Sequence, residues 1–171
     1  MSSFLTIEET ERRAAEVESC FATIYEVLGD RSRSVTVDAI TIELHVMARE
    51  CGEWAAVFRD LGPHRAGHVV SAAPRREDLH SVLRDGFDRD TTGSLVLYAM
   101  TVEIIPPLLI ALRDLAQLDN TAAGGRLSAR SSAAASFLVA TLHRVTGLLR
   151  SRPVADELED YAASVREFFH I

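Results

Sequence analysis

The feature that most limits what this chain can become is a three-and-four spacing of apolar residues, repeated in four long segments with no convincing period-two run between them. That spacing stacks side chains along one stripe of a helix, and a helix with one apolar stripe has to bury it against others. The first segment runs from about Thr6 to Gly29 with the stripe Ala14, Val17, Phe21, Ile24, Tyr25 and Leu28. Thr6 and Glu9 stand three apart as a capping box, and Gly29 reads as the stop. The second, about Val37 to Leu61, carries Ile40, Leu44, Met47, Cys51, Trp54 and Phe58 and ends at Gly62-Pro63.

After a loop, a short helix from Pro74 to Phe87 turns Leu79, Val82 and Leu83 inward, with Pro74 suited to its first turn. The third long helix reaches from near Thr91-Thr92 to about Leu118. A loop, Asn120 to Arg130 with Gly124-Gly125 as a flexible connection, leads to a fourth helix from Ser131 to Arg150. Its stripe is Ala134, Leu138, Leu142, Val145 and Leu149. Arg152-Pro153 breaks the chain before an amphipathic last helix, Asp156 to Phe169, with Leu158, Tyr161, Val165 and Phe168 on one side.

Four long helices with modest connections predict an all-α fold: an antiparallel four-helix bundle, a short extra helix between the second and third, and an amphipathic C-terminal helix. The 171 residues suit a single domain. The long excursion from Gly62 to Gly93 has the length to carry the chain across the bundle end. The third helix is apolar on two sides, with Tyr98, Thr101, Ile105, Leu109, Leu112 and Ala116 on one and Val96, Met100, Ile110 and Leu118 on the other. Such a helix is buried on more than one side, or forms an interface between subunits. Pro106 and Pro107 lack N–H groups, so the carbonyls of Val102 and Glu103 lose their helical partners, which predicts a kink or a restart there.

A formal net charge of -7 argues against a nucleic-acid partner, which would ask for a basic face. All 18 basic residues are arginine, and with a single Asn and a single Gln this is the usage of a GC-rich bacterial genome. Cys20 and Cys51, with no CxxC, fit thiols buried as small core residues in a reducing cytoplasm. The N-terminal residues lack the basic and apolar regions of a signal peptide, and cytoplasmic localisation is expected. Leu95 to Leu112 approaches membrane-spanning length, but Glu103 and Pro106-Pro107 near its middle favour a core helix, and no membrane association is expected.

No GxSxG, P-loop or GxGxxG motif is present. His64 and His68 lie four apart but in a turn-like stretch beginning at Pro63, which favours a solvated loop over a zinc site. His45 shares an outward face with Arg49 and Gly52, and Cys51 has no nearby base to make it a nucleophile. The charged run Glu8 to Glu18 reads as a solvated helix face.

The fragments Arg13…Tyr25-Glu26-Val27-Leu28-Gly29 and Glu53-Trp54-Ala55-Ala56-Val57-Phe58-Arg59-Asp60-Leu61-Gly62-Pro63 resemble a bacterial branch of the ferritin-like superfamily, as does Leu97-Tyr98 followed by Pro106-Pro107-Leu108. The resemblance covers about half the chain, in apolar and turn patterns rather than catalytic motifs. It implies a four-helix bundle and raises a di-iron centre, which needs one carboxylate from each of two helices and a Glu-x-x-His from each of the others. This chain offers Glu18, Glu43 and Glu50 at the margins of its stripes, but Val46 follows Glu43 by three and Glu53 follows Glu50. Glu103 points away from the Tyr98 face, and the fourth helix has no carboxylate, with His143 opposite Leu138 and Leu142. The chain therefore reads as a member that kept the bundle and lost the metal, with no cofactor expected.

Glu43 and Glu50, two turns apart on one side of a helix, lean toward the core and ask for partners, for which Arg144 and Arg113 are candidates. Tyr25, Trp54, Tyr98 and Thr101 point toward a common core and, with Glu43 and Glu50, are the candidate lining of an apolar pocket with polar handles. The leading expectation is a non-metal bundle that binds a small apolar molecule or a protein partner, and a homo-oligomer joined through the third helix or the Phe168-Phe169 end. Two alternatives are an oxidoreductase or hydroxylase with an atypical metal site at Glu18, Glu43, Glu50 and Glu103 or His143, and the ligand-binding half of a regulator.

Overall fold

The computed structural model describes residues 7–61, 76–117, 124–150 and 156–169, and among them there is no strand. The helices are α1 (Ile7–Arg31), α2 (Asp38–Leu61), α3 (Glu77–Arg89), α4 (Ser94–Ala99), α5 (Ile105–Ala116), α6 (Gly124–Leu149) and α7 (Asp156–Phe168), with a 3-10 turn at Ser32–Ser34 and a π turn at Met100–Ile104. The fold is all-α. Thr6, His64, His68, Pro74, Leu118 and Arg152-Pro153, to which the sequence assigned caps, turns or ligands, lie outside the described residues.

α1 and α2 form an antiparallel hairpin. Arg59 donates to Glu18 at 2.9 Å, Phe21 stacks on Phe58 with centroids 6.0 Å apart, and Ser32 meets His45 at 3.3 Å. The stripes do what their spacing requires: Val17, Phe21, Ile24 and Leu28 close onto Ile40, Leu44, Met47 and Cys51 in one core. α4 begins where α2 begins, since Gly93 lies against Val35 and Ile40 and the N–H of Thr36 bonds the carbonyl of Thr91 at 2.9 Å. α5 ends where α1 begins, with Arg13 paired to Asp114. The α4–α5 rod is therefore parallel to α2 and antiparallel to α1. α6 returns antiparallel to α5, with Ser128 donating to the carbonyl of Ala116 at 2.6 Å, and it meets α2 through Arg144 and Glu43. α3 packs on α1, and α7 lies across α3, α4 and the π turn.

The proline pair restarts the third helix without breaking it. The π turn Met100–Ile104 widens the backbone just ahead of them, and Pro106 and Pro107 then occupy the first positions of α5, where no N–H is needed. The rod is buried on several sides: Val96, Met100, Ile105, Leu108 and Leu112 are all in the core, while Ile110 is 61% exposed. Most of its apolar residues are covered by this chain's own helices, with Val102 and Ile110 left exposed.

Several boundaries differ from the sequence reading. α1 continues past Gly29 to Arg31. The short helix starts at Glu77. α6 begins at Gly124, so the stretch 124–130 expected as loop is helical, because Ala, Leu and Arg after the glycine pair are good helix formers with no proline among them. This lengthens its inward seam to Leu127, Ser131, Ala134, Leu138, Thr141 and Val145, with Leu142 and Leu149 half-buried at its edge.

Candidate functional site

The carboxylates that a metal centre would need are dispersed and spent on arginines. Glu43 is buried and accepts three bonds from Arg144, from Nε at 3.1 and 3.2 Å and from Nη2 at 2.9 Å; Nη2 also donates to Thr141 at 3.1 Å. Of the two candidate partners, Arg144 is the one that pairs. Glu18 is held by Arg59, and Glu50, half-buried, has among the described residues one ion-pair contact, with Arg49 at 3.7 Å. Glu103, placed away from the Tyr98 face by its helical position, is not free on the far side. It is buried in the π turn and gripped by Arg166 of α7, from Nε at 2.8 Å and Nη2 at 2.5 Å. His143 is exposed. Among the described residues no three His, Cys, Asp or Glu side chains converge on one point, so Glu18, Glu43 and Glu50 do not fit a di-iron centre.

Of the six expected pocket residues, Tyr98 and Thr101 line one groove, and Tyr25, Glu43, Glu50 and Trp54 do not line it. Tyr25 is 50% exposed; its ring lies flat against Gly52, where a β-carbon would approach Cδ2 to 2.8 Å. The missing side chain at Gly52 gives the ring a seat on the outside of the hairpin, which is why a residue counted in the stripe leaves the core. Trp54 is partly buried against the core, while Glu43 and Glu50 are engaged as above.

Tyr98 and Thr101 do come together, in a groove of about 640 Å³ where five elements meet. The end of α3 brings Arg89 and Asp90, and α4 brings Ser94, Leu95 and Tyr98. The π turn adds Thr101 and Val102. The end of α6 supplies Thr146, Leu149 and Arg150, and the start of α7 supplies Glu157 and Leu158. Asp90 builds this end of the rod. Its carboxylate accepts from the N–H of Thr92 at 2.9 Å, the hydroxyl of Thr92 at 2.9 Å and the N–H of Leu95 at 3.0 Å, while Gly93 turns the chain at φ 77°. Partial burial pushes the Asp90 carboxyl up, but the bonds from Leu95, Thr92 and Ser94 outweigh it and hold it below the usual carboxylate range. The Thr101 hydroxyl donates to the carbonyl of Leu97 at 2.8 Å. The hydroxyls of Tyr98 and Thr146 make no hydrogen bond among the described residues.

A second, smaller cavity of about 300 Å³ opens between α1 and α3 and is lined by Thr23, Glu26, Arg76, Glu77 and His80. At its edge the Arg76 guanidinium reaches Cys20 Sγ at 3.4 Å and lies over the Phe169 ring, 4.9 Å from its centroid. Burial pushes the Cys20 thiol up to about 11 despite that cation, and burial pushes Cys51 up as well. Neither is a nucleophile at neutral pH.

Arg89, Asp90, Thr146, Leu149, Arg150 and Leu158 were not singled out from the sequence as lining a site. They come from three elements and carry no shared spacing, so only the topology reveals them. Comparison with family models, curated proteins and solved structures finds no match to this chain.

Proposed function

We propose that this is a binding protein: a ferritin-like four-helix bundle, formed by α1, α2, α4–α5 and α6, that holds no di-metal centre and takes a small molecule with an apolar body in the groove at Tyr98 and Thr101. The observation that carries this reading is the groove itself, which joins apolar walls to hydroxyls left free to bond a ligand. The bundle assignment is supported by the order of directions. α1 lies antiparallel to α2 and to the α4–α5 rod, α6 lies antiparallel to α5 and α2, and the rod runs parallel to α2, so that the chain crosses between the end of α2 and the start of α4. The arginine clamps on Glu43 and Glu103 support a binding role over metal chemistry, since both carboxylates already have their counter-charge.

The test is protein-detected NMR with 1-decanol as the probe. Shift changes are expected to concentrate at Leu95, Tyr98, Thr101 and Leu149, and to vanish in Thr146→Trp, which fills the groove. Changes scattered over the surface, or unaltered in that variant, overturn the reading.

A second reading, self-association, is favoured by α6. It is apolar enough to cross a membrane by length and composition, as is the Ser94–Ala116 rod, but only 22% of its most apolar window is buried, against 67% for the rod. The outer face thus left open is small, with Ala129, Ala133, Ser136, Ala140 and Gly147 all exposed. A second copy would cover it. Light scattering decides between a dimer and a strict monomer at high concentration, and the monomer removes this reading.

A further inference from the structure

We infer that the ligand of the groove is a small monoanionic amphiphile, an organic carboxylate on an apolar body. The carboxylate would sit at Arg150, and the body would lie against Leu95, Leu149 and Leu158. The inference rests on the groove reading above and deepens it.

The argument is an inventory of what the groove has left to offer. Four charged side chains line it, Arg89 and Arg150 against Asp90 and Glu157. Asp90 is spent, because both its oxygens accept from the turn that starts α4. Arg89 has ion-pair contacts with Asp85 at 3.7 Å and with Glu157 at 3.9 Å, and its guanidinium also lies over the Tyr161 ring, 5.6 Å from its centroid. Arg150 remains. Among the described residues it has no ion pair and no side-chain hydrogen bond, and it is exposed at the end of α6.

Among the described residues, the one charge of the groove left without a counter-charge is therefore the Arg150 guanidinium fork, with the unbonded hydroxyls of Tyr98 and Thr146 in the same groove. A guanidinium fork matches the two oxygens of a carboxylate, and a single fork matches a single negative charge. Away from it the walls are Leu95 and Leu158, both buried, with Leu149 beside them. They present hydrocarbon to whatever enters. A neutral apolar molecule leaves Arg150 unused, and a cation faces it with like charge.

The probes are decanoate, 1-decanol and decyltrimethylammonium, each titrated by calorimetry into the whole protein. Decanoate is expected to bind about tenfold or more tighter than 1-decanol. Arg150→Gln should bring the two together by weakening decanoate alone. Arg150→Glu, a second change at the same exposed position, should place decyltrimethylammonium ahead of decanoate. Equal binding of decanoate and 1-decanol to the unaltered protein, or an equal loss of both in Arg150→Gln, overturns the carboxylate inference and leaves the groove reading standing. Failure of all three probes to bind, or binding that persists in Thr146→Trp, overturns the groove reading beneath it.

Discussion

The hydroxyl of Tyr161 stands where a side chain at residue 86 would begin. A β-carbon built on Gly86 would lie inside contact with that hydroxyl, 2.5 Å from Cζ and 2.7 Å from Val96 Cγ2. Tyr161 is fully buried and its hydroxyl donates to the carbonyl of Val82 at 2.7 Å, so it cannot swing aside without abandoning that bond. Gly86 is thus the residue that lets α7 seat on α3, and burial pushes the phenol well above its ordinary range.

Gly86→Ala should therefore destabilise the fold, although alanine is the better helix former. The clash costs about 1–3 kcal/mol, more than the roughly 1 kcal/mol that removing a helical glycine returns. Urea unfolding checks this. Tyr161→Phe in the same chain should recover part of the loss, so that the two changes are less than additive.

Arg144→Ala leaves Glu43 buried without its counter-charge. A loss of about 2 kcal/mol is expected, short of what a fully dry pair would lose because Arg144 is 41% exposed. Replacing both, as Glu43→Leu with Arg144→Leu, should return stability to within about 1 kcal/mol of the unaltered protein. A double replacement as damaging as the single one would mean that Glu43 has a role other than its pair.

The depressed carboxyl of Asp90 makes a signed prediction for acid. Its folded value lies below the unfolded one, so its contribution is fully present above the unfolded value of about 3.9. The contribution fades as pH falls through the depressed folded value. Asp90→Asn should lower the melting temperature at neutral pH and narrow its gap to the unaltered protein below about pH 4. A gap that stays constant from pH 7 to pH 3 would show that the charge of Asp90 contributes nothing.

Cys20 and Cys51 are both without solvent exposure and both held as thiols. Ellman's reagent at pH 8 is expected to report close to none in the folded protein and both after denaturation. Rapid reaction of one thiol in the native state would mean that the α1–α2 seam opens locally, on the side where Arg76 touches Cys20.

How much of this was legible beforehand follows the range of the physical signal. Helix existence is a local matter, and the stripes of α1 and α2 were readable because each buried residue repeats a spacing that its neighbours share. The partnership of Glu43 with Arg144, 101 positions away, was open to inference because a buried carboxylate on one helix requires a cation from another. The grip of Arg166 on Glu103 was not, since nothing local says that α7 lies across the π turn. Tyr25 was counted in the stripe and misjudged, because the empty space that draws its ring outward belongs to Gly52 on another helix. The early start of α6 was missed because a glycine pair reads as a break unless packing holds the turn that follows it.

The sequence alone determined the helical class, most of the inward faces of the long helices and the lack of a Glu-x-x-His spacing on those four helices, because these depend on residue type and spacing within about two turns. Only the tertiary structure decided which side chains meet: that Tyr98 and Thr101 share a groove with Arg150 and Leu158, and that Glu18, Glu43 and Glu50 stay apart. Spacing along a chain sets the face a residue occupies. The neighbour across that face is chosen by the path of the whole backbone, and here that path was set by a crossing between α2 and α4 and by one α-carbon at Gly86 small enough to admit Tyr161.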